Sequence, residues 1–440
     1  MNPTLGIQYI LIEQLIPYAG NARTHSRQQI QQLARSIQAF GFINPILVDE
    51  QYQLVAGHGR LLAAKTLGLK IIPAIRIDHL NEDEKRAYLL ADNKLAENAG
   101  WDPELLKIEL TYLNRIDIEF NVELTGFSMP EIDMLLGAAG PRPDEPPLPA
   151  LPSLTDTIVQ AGDLWQLGRH RLLCGDCREA TTVARLMSGQ RARLVFTDPP
   201  YNVPIEGHAR GLGQIHHPDF AMACGEMSAA EFVAFLVASL GQLAAVSLDG
   251  SLHYVCMDWR HMEALLSAGQ QVYADLINLC VWNKSSGGMG SLYRSKHELV
   301  FVFKHGRGAH INNVELGKHG RYRTNIWDYP GVNTFGSGRD AALAMHPTVK
   351  PVALIADVIL DASKRHDIIL DGFAGSGSTL LAAEQTGRIF HGIEIDPRYV
   401  EVSLQRWIAQ TGESPVHVDS GLSYAERAAL APTPLKRAEG

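Results

Sequence analysis

The chain is poor in cysteine, has no long apolar run and carries no excess of positive charge. Five cysteines in 440 residues are too few for a disulfide scaffold. Residues 1–10 show no basic region, apolar core or small-residue cleavage site, so no secretory leader is expected, the thiols should be reduced, and the expected location is cytoplasmic. The longest charge-free apolar stretch, 232–248, is broken by Ser239, Gly241, Gln242 and Ser247. A membrane span needs about 20 predominantly apolar residues, so the stretch reads as a buried helix and no membrane partner is expected. The net charge of −9 argues weakly against a polyanionic partner for the surface as a whole.

That acidity is unevenly spread. Residues 1–150 hold 13 Lys and Arg against 19 Asp and Glu, and the remainder holds 26 against 29. Between 282 and 326 the sign reverses: Lys284, Arg294, Lys296, Lys304, Arg307, Lys318, Arg321 and Arg323 stand against Glu298 and Glu315 alone. A local basic stripe is what phosphate contacts require; a solvated surface is the alternative. With 46% hydrophobic residues over this length, two or three packed domains are expected.

Residues 141–152 contain six prolines in twelve positions, which predicts a semi-rigid linker over 141–153 between a first unit, 1–140, and a second, 154–420. Residues 421–440 are small and polar and read as a flexible tail. In the first unit a strand over 7–12 precedes a helix capped by Ser26, with Ile30, Leu33, Ala34, Ile37 and Phe40 at helical spacing and Gly41 as its stop. A hairpin over 45–48 and 53–56 leads through Gly57-His58-Gly59-Arg60 into a helix over 61–67, then a strand over 71–77 and helical additions. A glycine turn feeding a helix N-terminus beside an arginine suits an anion, and equally serves as a tight turn alone.

Two motifs in the second unit carry chemistry. An apolar strand, Leu194-Val195-Phe196-Thr197, ends in Asp198-Pro199-Pro200-Tyr201. The prolines hold the turn rigid, so Asp198 and the Pro199 carbonyl can accept the two N–H bonds of an amino group while Tyr201 stacks on its ring. Further on, a strand ending at Asp371 runs into Gly372-Phe373-Ala374-Gly375-Ser376-Gly377, then Ser378, Thr379 and an apolar helix, with Glu394 19 positions after Gly375. Strand, glycine turn, helix N-terminus and a later carboxylate are the recipe for holding an adenosine cofactor, although a glycine turn by itself is weak evidence.

Residues 7–125 resemble the ParB-like N-terminal domain shared by partition proteins and sulfiredoxin. That resemblance implies a small α/β fold with nucleotide phosphate or DNA at Gly57, His58, Gly59 and Arg60. No cysteine precedes Cys174, which excludes sulfiredoxin chemistry, and Gly59 departs from the arginine usual in partition proteins. Residues 162–407 resemble β-class S-adenosylmethionine-dependent DNA amino-methyltransferases, through Gly175-Asp176, the DPPY motif at 198–201, Trp282-Asn283-Lys284, His346-Pro347-Thr348-Val349-Lys350-Pro351 and the FxGxG at 373–377. The implied fold is α/β: a circularly permuted Rossmann-like domain with a mostly parallel seven-stranded sheet.

The resemblance further implies S-adenosylmethionine as cofactor, held by Asp176, Lys350, Asp371, Phe373, Gly375, Gly377, Ser378, Thr379 and Glu394. Asp198, Pro199, Pro200 and Tyr201 would be catalytic. Double-stranded DNA would be met by Tyr201 and Trp282 through base stacking, by Lys284, Arg321 and Arg323, and by a target-recognition region over about 305–345. No metal is required; the CxxC of Cys174 and Cys177 lacks a second thiol pair at zinc spacing. An aspartate opening the tetrapeptide favours adenine N6, with cytosine N4 as the near alternative. A partition adaptor with a lapsed enzyme domain is the alternative of another class, and a homodimer stays open. The fusion itself resembles the orphan modification enzymes of phages and prophages.

Overall fold

A computed structural model of the chain describes residues 5–115, 122–138, 145–146, 148–203, 225–287, 292–317, 321–331 and 349–430. The chain divides into two compact units, 1–136 and 137–440.

The first unit is built on a four-stranded sheet in the order β1 (Ile7–Leu11), β4 (Ile71–Arg76), β2 (Ile46–Val48), β3 (Leu54–Ala56). Helix α1 (Arg27–Phe40) begins where the Ser26 hydroxyl accepts the Gln29 amide and ends at Gly41, whose φ of +84° breaks the helix. Helix α2 (His58–Thr66) starts at His58, three residues earlier than the sequence suggests. Gly57, at φ +98°, makes the cap itself, so the glycine turn is part of the helix start. Ile46, Val48, Leu54, Leu61, Ala64 and Ile72 form the core. Helix α3 (Glu82–Glu97) opens with a reciprocal Asn81–Glu84 capping box, and α4 (Pro103–Arg115) and α5 (Met129–Leu135) close on Leu110, Val122 and Ile132.

The second unit is a ten-stranded sheet. Its seven central strands run β9 (Asp275–Asn283), β10 (His297–Lys304), β8 (Ser247–Met257), β7 (Ala192–Thr197), β12 (Ile368–Asp371), β13 (Ile389–Glu394), β6 (His170–Cys174). All are parallel except β10, which is antiparallel to both neighbours. Beyond the expected seven, β11 (Ile326–Asp328) extends one edge, and β5 (Leu164–Leu167) with β14 (Val416–His417) extends the other.

Both faces of the sheet are covered, which is why its strands read as unbroken apolar runs. On one face Leu194, Phe196, Tyr254 and Ile369 meet helices α9 (Val352–Ala362), α10 (Ser378–Thr386) and α11 (Pro397–Thr411). On the other, Val195, Val255 and Leu370 meet α6 (Ala180–Met187), α7 (Ala229–Ala245) and α8 (Met262–Val272). Helix α7 is the apolar stretch noted above, and among the described residues no helix is long and apolar enough to cross a membrane.

Two boundary expectations change. Part of the proline-rich segment is docked on the second unit: Glu145 accepts the Val352 amide at 2.8 Å and faces Arg406 at 3.6 Å, and Leu148 and Leu151 pack against Tyr399 and Val402. The tail is ordered at its start. Helix α12 (Tyr424–Leu430) is held by Tyr424, which donates to Glu401 at 3.0 Å and tilts against Trp165. Residues 431–440, 141–144 and 147 lie outside the described residues.

Leu61 is 2% exposed in the first unit's core. Leu61→Ala should destabilise that unit by about 2–5 kcal/mol. Hydrogen exchange is expected to accelerate in peptides from β2, β4 and α2 while β12 and β13 keep wild-type protection; equal acceleration in both sets would contradict the division into two units.

Candidate active site

Strands β7 and β12 lie side by side in parallel, with Leu194 opposite Ile369 and Val195 opposite Leu370. From β7 the chain continues through α7 to β8 on one side; from β12 it continues through α10 to β13 on the other. Their carboxyl ends therefore flank a topological switch point, where open α/β sheets take ligands. Thr197, the last residue of β7, donates from its hydroxyl to Asp371 Oδ1 at 3.0 Å, which ties the two strand ends together.

Asp198 stands immediately beyond Thr197. The Tyr201 hydroxyl donates to its Oδ1 at 2.6 Å, and the Lys350 ammonium donates to its Oδ2 at 2.6 Å and to the Tyr201 hydroxyl at 3.2 Å. Lys350, 5% exposed, also faces Glu298 Oε2 at 3.1 Å, while Lys284 donates to Glu298 Oε1 at 2.9 Å. Burial pushes the Asp198 carboxyl above its ordinary range, and Lys350 pulls it back. Burial also opposes the charge on Lys350, but Asp198 and Glu298 hold its pKa well above the usual value. Glu298 is buried too, and Lys350 and Lys284 hold it below the carboxylate range. Asn202, at φ +53°, accepts the amides of Gly225 and Met227 and donates to the Met227 carbonyl, so the chain that leaves after the tetrapeptide returns to the same point.

The glycine turn lies at the end of β12. Asp371 accepts from Thr197 and the Phe373 amide on one oxygen and from Thr379 at 2.7 Å on the other; burial pushes it up to about 6. Gly375 has φ +52° and Gly377 φ +82°. A Cβ on Gly377 would meet Ser403 Oγ at 2.8 Å, so position 377 requires glycine both for its φ and for this close approach. Helix α11 holds the loop's carbonyls, Ser403 donating to Gly375 and Arg406 to Ser376. Glu394, ending β13, accepts the Gly375 amide at 2.8 Å and the Asp396 amide at 2.9 Å, and burial pushes it up to about 7. The Ser378 hydroxyl at the start of α10 is buried and has no hydrogen-bond partner. Two buried carboxylates and an orphaned hydroxyl around a glycine turn fit a ligand that brings hydroxyl donors and positive charge.

Other expected residues fall elsewhere. Asp176 lies at the end of β6, adjacent to β13, but its carboxylate is engaged by Arg178 at 2.6 Å. Lys350, expected at the cofactor, is bonded to Asp198 instead. Trp282 is 1% exposed, donates to the Tyr329 carbonyl and lies under the ammonium groups of Lys284 and Lys350, so it is a wall of the ion cluster; of the expected stacking pair, the half-buried Tyr201 is left. Lys284 is spent on Glu298. Arg321 and Arg323 pair with Asp357 and Asp361, one turn apart on α9, rather than standing free for phosphate; those carboxylates are the nearer anions. Lys318, 332–345 of the expected recognition region and His346, Pro347 and Thr348 lie outside the described residues.

In the first unit, His58 Nε2 and Arg60 Nε are buried without partners at the start of α2. Burial lowers both pKa values, with His25 adding to the effect at His58. A Cβ on Gly59 would meet His25 and Leu33 at 3.0 Å, so close packing accounts for that glycine. Cys174 and Cys177 are buried free thiols; burial pushes Cys174 up to about 12 and Cys177 higher still, which keeps both protonated.

Glu298 and Asn202 lie within or beside the motifs read from the sequence but have no role there, because the partners that fix them are distant in the chain. The helical additions expected after 77 resolve into α3, α4 and α5, the last opened by a reciprocal Ser128–Glu131 cap.

Glu394 generates a pH prediction. Its folded pKa of about 7 lies above the unfolded value, so the native state binds the extra proton and stability falls as pH rises from about 4.5 through 7, by an amount of the order of 3 kcal/mol. Glu394→Gln should remove this component. Thermal denaturation of ligand-free protein from pH 5 to 8 is expected to show wild type losing ground to the variant; parallel curves would contradict the burial assigned to Glu394.

Three family descriptions match this chain: a ParB N-terminal domain over 2–94, a ParB-methyltransferase HTH domain over 104–161, and a DNA methylase of the N6/N4 type over 192–405. The chain is 44% identical over 86 residues to the ParB-like nuclease domain-containing protein YnaK of Escherichia coli strain K12, a match spanning 20% of this chain and 99% of that one. It is 24% identical over 231 residues to the type II methyltransferase M2.MboI of Moraxella bovis, spanning 49% of this chain and 80% of that one. Among solved structures it is similar to the M1.HpyAVI–SAM complex, with a TM-score of 0.40 and 17% identity over 53% of this chain and 97% of that chain. The chain thus belongs to the ParB-like family through its first unit, and its second unit matches the N6/N4 DNA methylase description over 192–405.

Proposed function

We propose that the protein transfers a methyl group from S-adenosylmethionine to adenine N6 in duplex DNA. The observation that carries this reading is the position of Asp198, bonded to Tyr201 and Lys350, at the switch point beside the glycine turn of β12.

A base inside a duplex cannot present its exocyclic amine to this crevice, so it has to leave the stack at a cost of a few kcal/mol. The half-buried Tyr201 ring offers a face that offsets part of that cost. Asp198 and the Pro199 carbonyl accept the amine's N–H bonds, which orients its lone pair and favours the positive charge that develops on nitrogen. Glu394 is the acceptor for ribose hydroxyls, Ser378 supplies an unused hydroxyl, and Gly375 and Gly377 bring the loop backbone close to the ligand, with Asp371, Phe373 and Asp176 around it. S-adenosylmethionine, when bound, supplies a methyl group on a sulfonium sulfur. Asp198 at the opening of the tetrapeptide is what favours adenine over cytosine.

The ParB-like turn at Gly57, His58, Gly59 and Arg60 in the first unit, and the HTH match over 104–161 that begins in that unit and ends in the second, support a second DNA or anion contact. In the second unit, Arg294 and Lys296 remain exposed at the carboxyl end of β9 and are the basic residues best placed for phosphate.

Unmethylated DNA incubated with protein and S-adenosylmethionine, then digested for nucleoside mass spectrometry, is expected to yield N6-methyladenine. Asp198→Ala should reduce product by at least about 100-fold while cofactor affinity changes by less than about threefold. N4-methylcytosine in place of N6-methyladenine would overturn the choice of base, and normal methylation by Asp198→Ala would overturn the site.

A further inference from the structure

Asp198, Lys350, Glu298 and Lys284 form an alternating row of charge. Lys350 Nζ lies 2.6 Å from Asp198 Oδ2 and 3.1 Å from Glu298 Oε2, and Lys284 Nζ lies 2.9 Å from Glu298 Oε1. The row is assembled from four places in the chain. Asp198 follows β7, Glu298 is the second residue of β10, Lys284 follows β9, and Lys350 stands two residues before α9. Strand pairing sets Glu298 opposite Trp282, whose buried indole lies beneath both ammonium groups, at 4.6 Å from Lys284 and 5.8 Å from Lys350. The lysine side chains therefore have a fixed floor as well as fixed partners.

We infer, on the amino-methyltransferase reading of this site, that Lys350 and Glu298 are positioning residues of the transfer step: Lys350 keeps the Asp198 carboxylate ionised and fixed between itself and Tyr201 as it meets the target amine, while Glu298 anchors the Lys350 ammonium, its own like charge working against that ionisation. A neutral carboxyl would turn one oxygen into a donor and would not favour a nitrogen that is becoming positive. The groups facing Asp198 are Lys350, Glu298 from β10, Tyr201 from its own turn, Cys256 from β8 and Asp371 from β12. Lys350 is the one cation among them. Without it, burial and the nearby Glu298 and Asp371 charges all favour a protonated Asp198. Glu298 has the complementary task of drawing part of the Lys350 charge away from the place where the nitrogen becomes cationic. Nothing in this arrangement requires Lys350 to touch the cofactor.

The test is the pH dependence of single-turnover methyl transfer, with cofactor affinity measured alongside. Lys350→Met should move the acid limb of the profile upward by about one pH unit or more, with cofactor affinity within about threefold of wild type. Lys350→Arg should restore the wild-type limb, and the double variant Lys350→Met with Glu298→Gln should move it back down, because the like charge has gone. Glu298→Gln alone should shift the limb to lower pH, a readout that stands if Lys350→Met does not fold. An active Lys350→Met enzyme with the wild-type limb, or one whose whole defect is a tenfold or greater loss of cofactor affinity, overturns this inference alone. A wild-type chain that methylates no DNA overturns the transferase reading and this inference with it.

Discussion

The parallel pairing of β7 with β12 brings negative charge to one edge of the sheet, and much of the surrounding structure answers that charge. Asp198 and Asp371 end or follow adjacent strands, Glu394 ends the next strand on one side, and Glu298 begins the strand two places away on the other. Each is buried or partly buried, so each needs compensation. Asp198 and Glu298 have it from Lys350 and Lys284. Asp371 and Glu394 have only hydroxyls and backbone amides, and they sit at about 6 and about 7. Among the described residues no cation pairs with either. The half of the crevice beside β12 and β13 is thus unfinished in a specific chemical sense, and a ligand carrying positive charge and hydroxyl groups completes it.

Much of this could be read from the sequence because it is local. A strand ending in Asp-Pro-Pro-Tyr has few backbone options, and Gly377 is required at +82° by its own turn and by Ser403 packed against it. The cap at Ser26 and the stop at Gly41 are likewise settled within a few residues of each helix end. Alternation along β7, with Leu194 and Phe196 on one face and Val195 on the other, shows how a continuous apolar run serves two helical layers at once.

What could not be read depends on partners far apart in sequence. Composition marks Arg321 and Arg323 as basic and free; only the fold shows Asp357 and Asp361 turned toward them. The same holds for Trp282, whose aromatic ring suits a base as well as it suits a wall, and for Lys350, which lies in sequence just before the cofactor loop yet reaches back to Asp198, 152 positions away. Tyr424 looks like part of a polar tail until Glu401 and Trp165 are seen to receive it. Proline content predicted a spacer over 141–153, but Glu145 has a helix N-terminus and Arg406 to bind, so part of the segment docks.

The central claim is that the carboxylate-rich edge between β7 and β13 takes a cationic adenosine cofactor. Its most direct test is calorimetric titration of S-adenosylmethionine into the protein near pH 7, repeated in two buffers of different ionisation enthalpy. The account predicts saturable binding with net release of protons, as Glu394 and Asp371 lose theirs to a positive ligand, and a smaller release in a protein lacking the Glu394 carboxylate. Absence of binding, or binding whose heat is the same in both buffers, would contradict it.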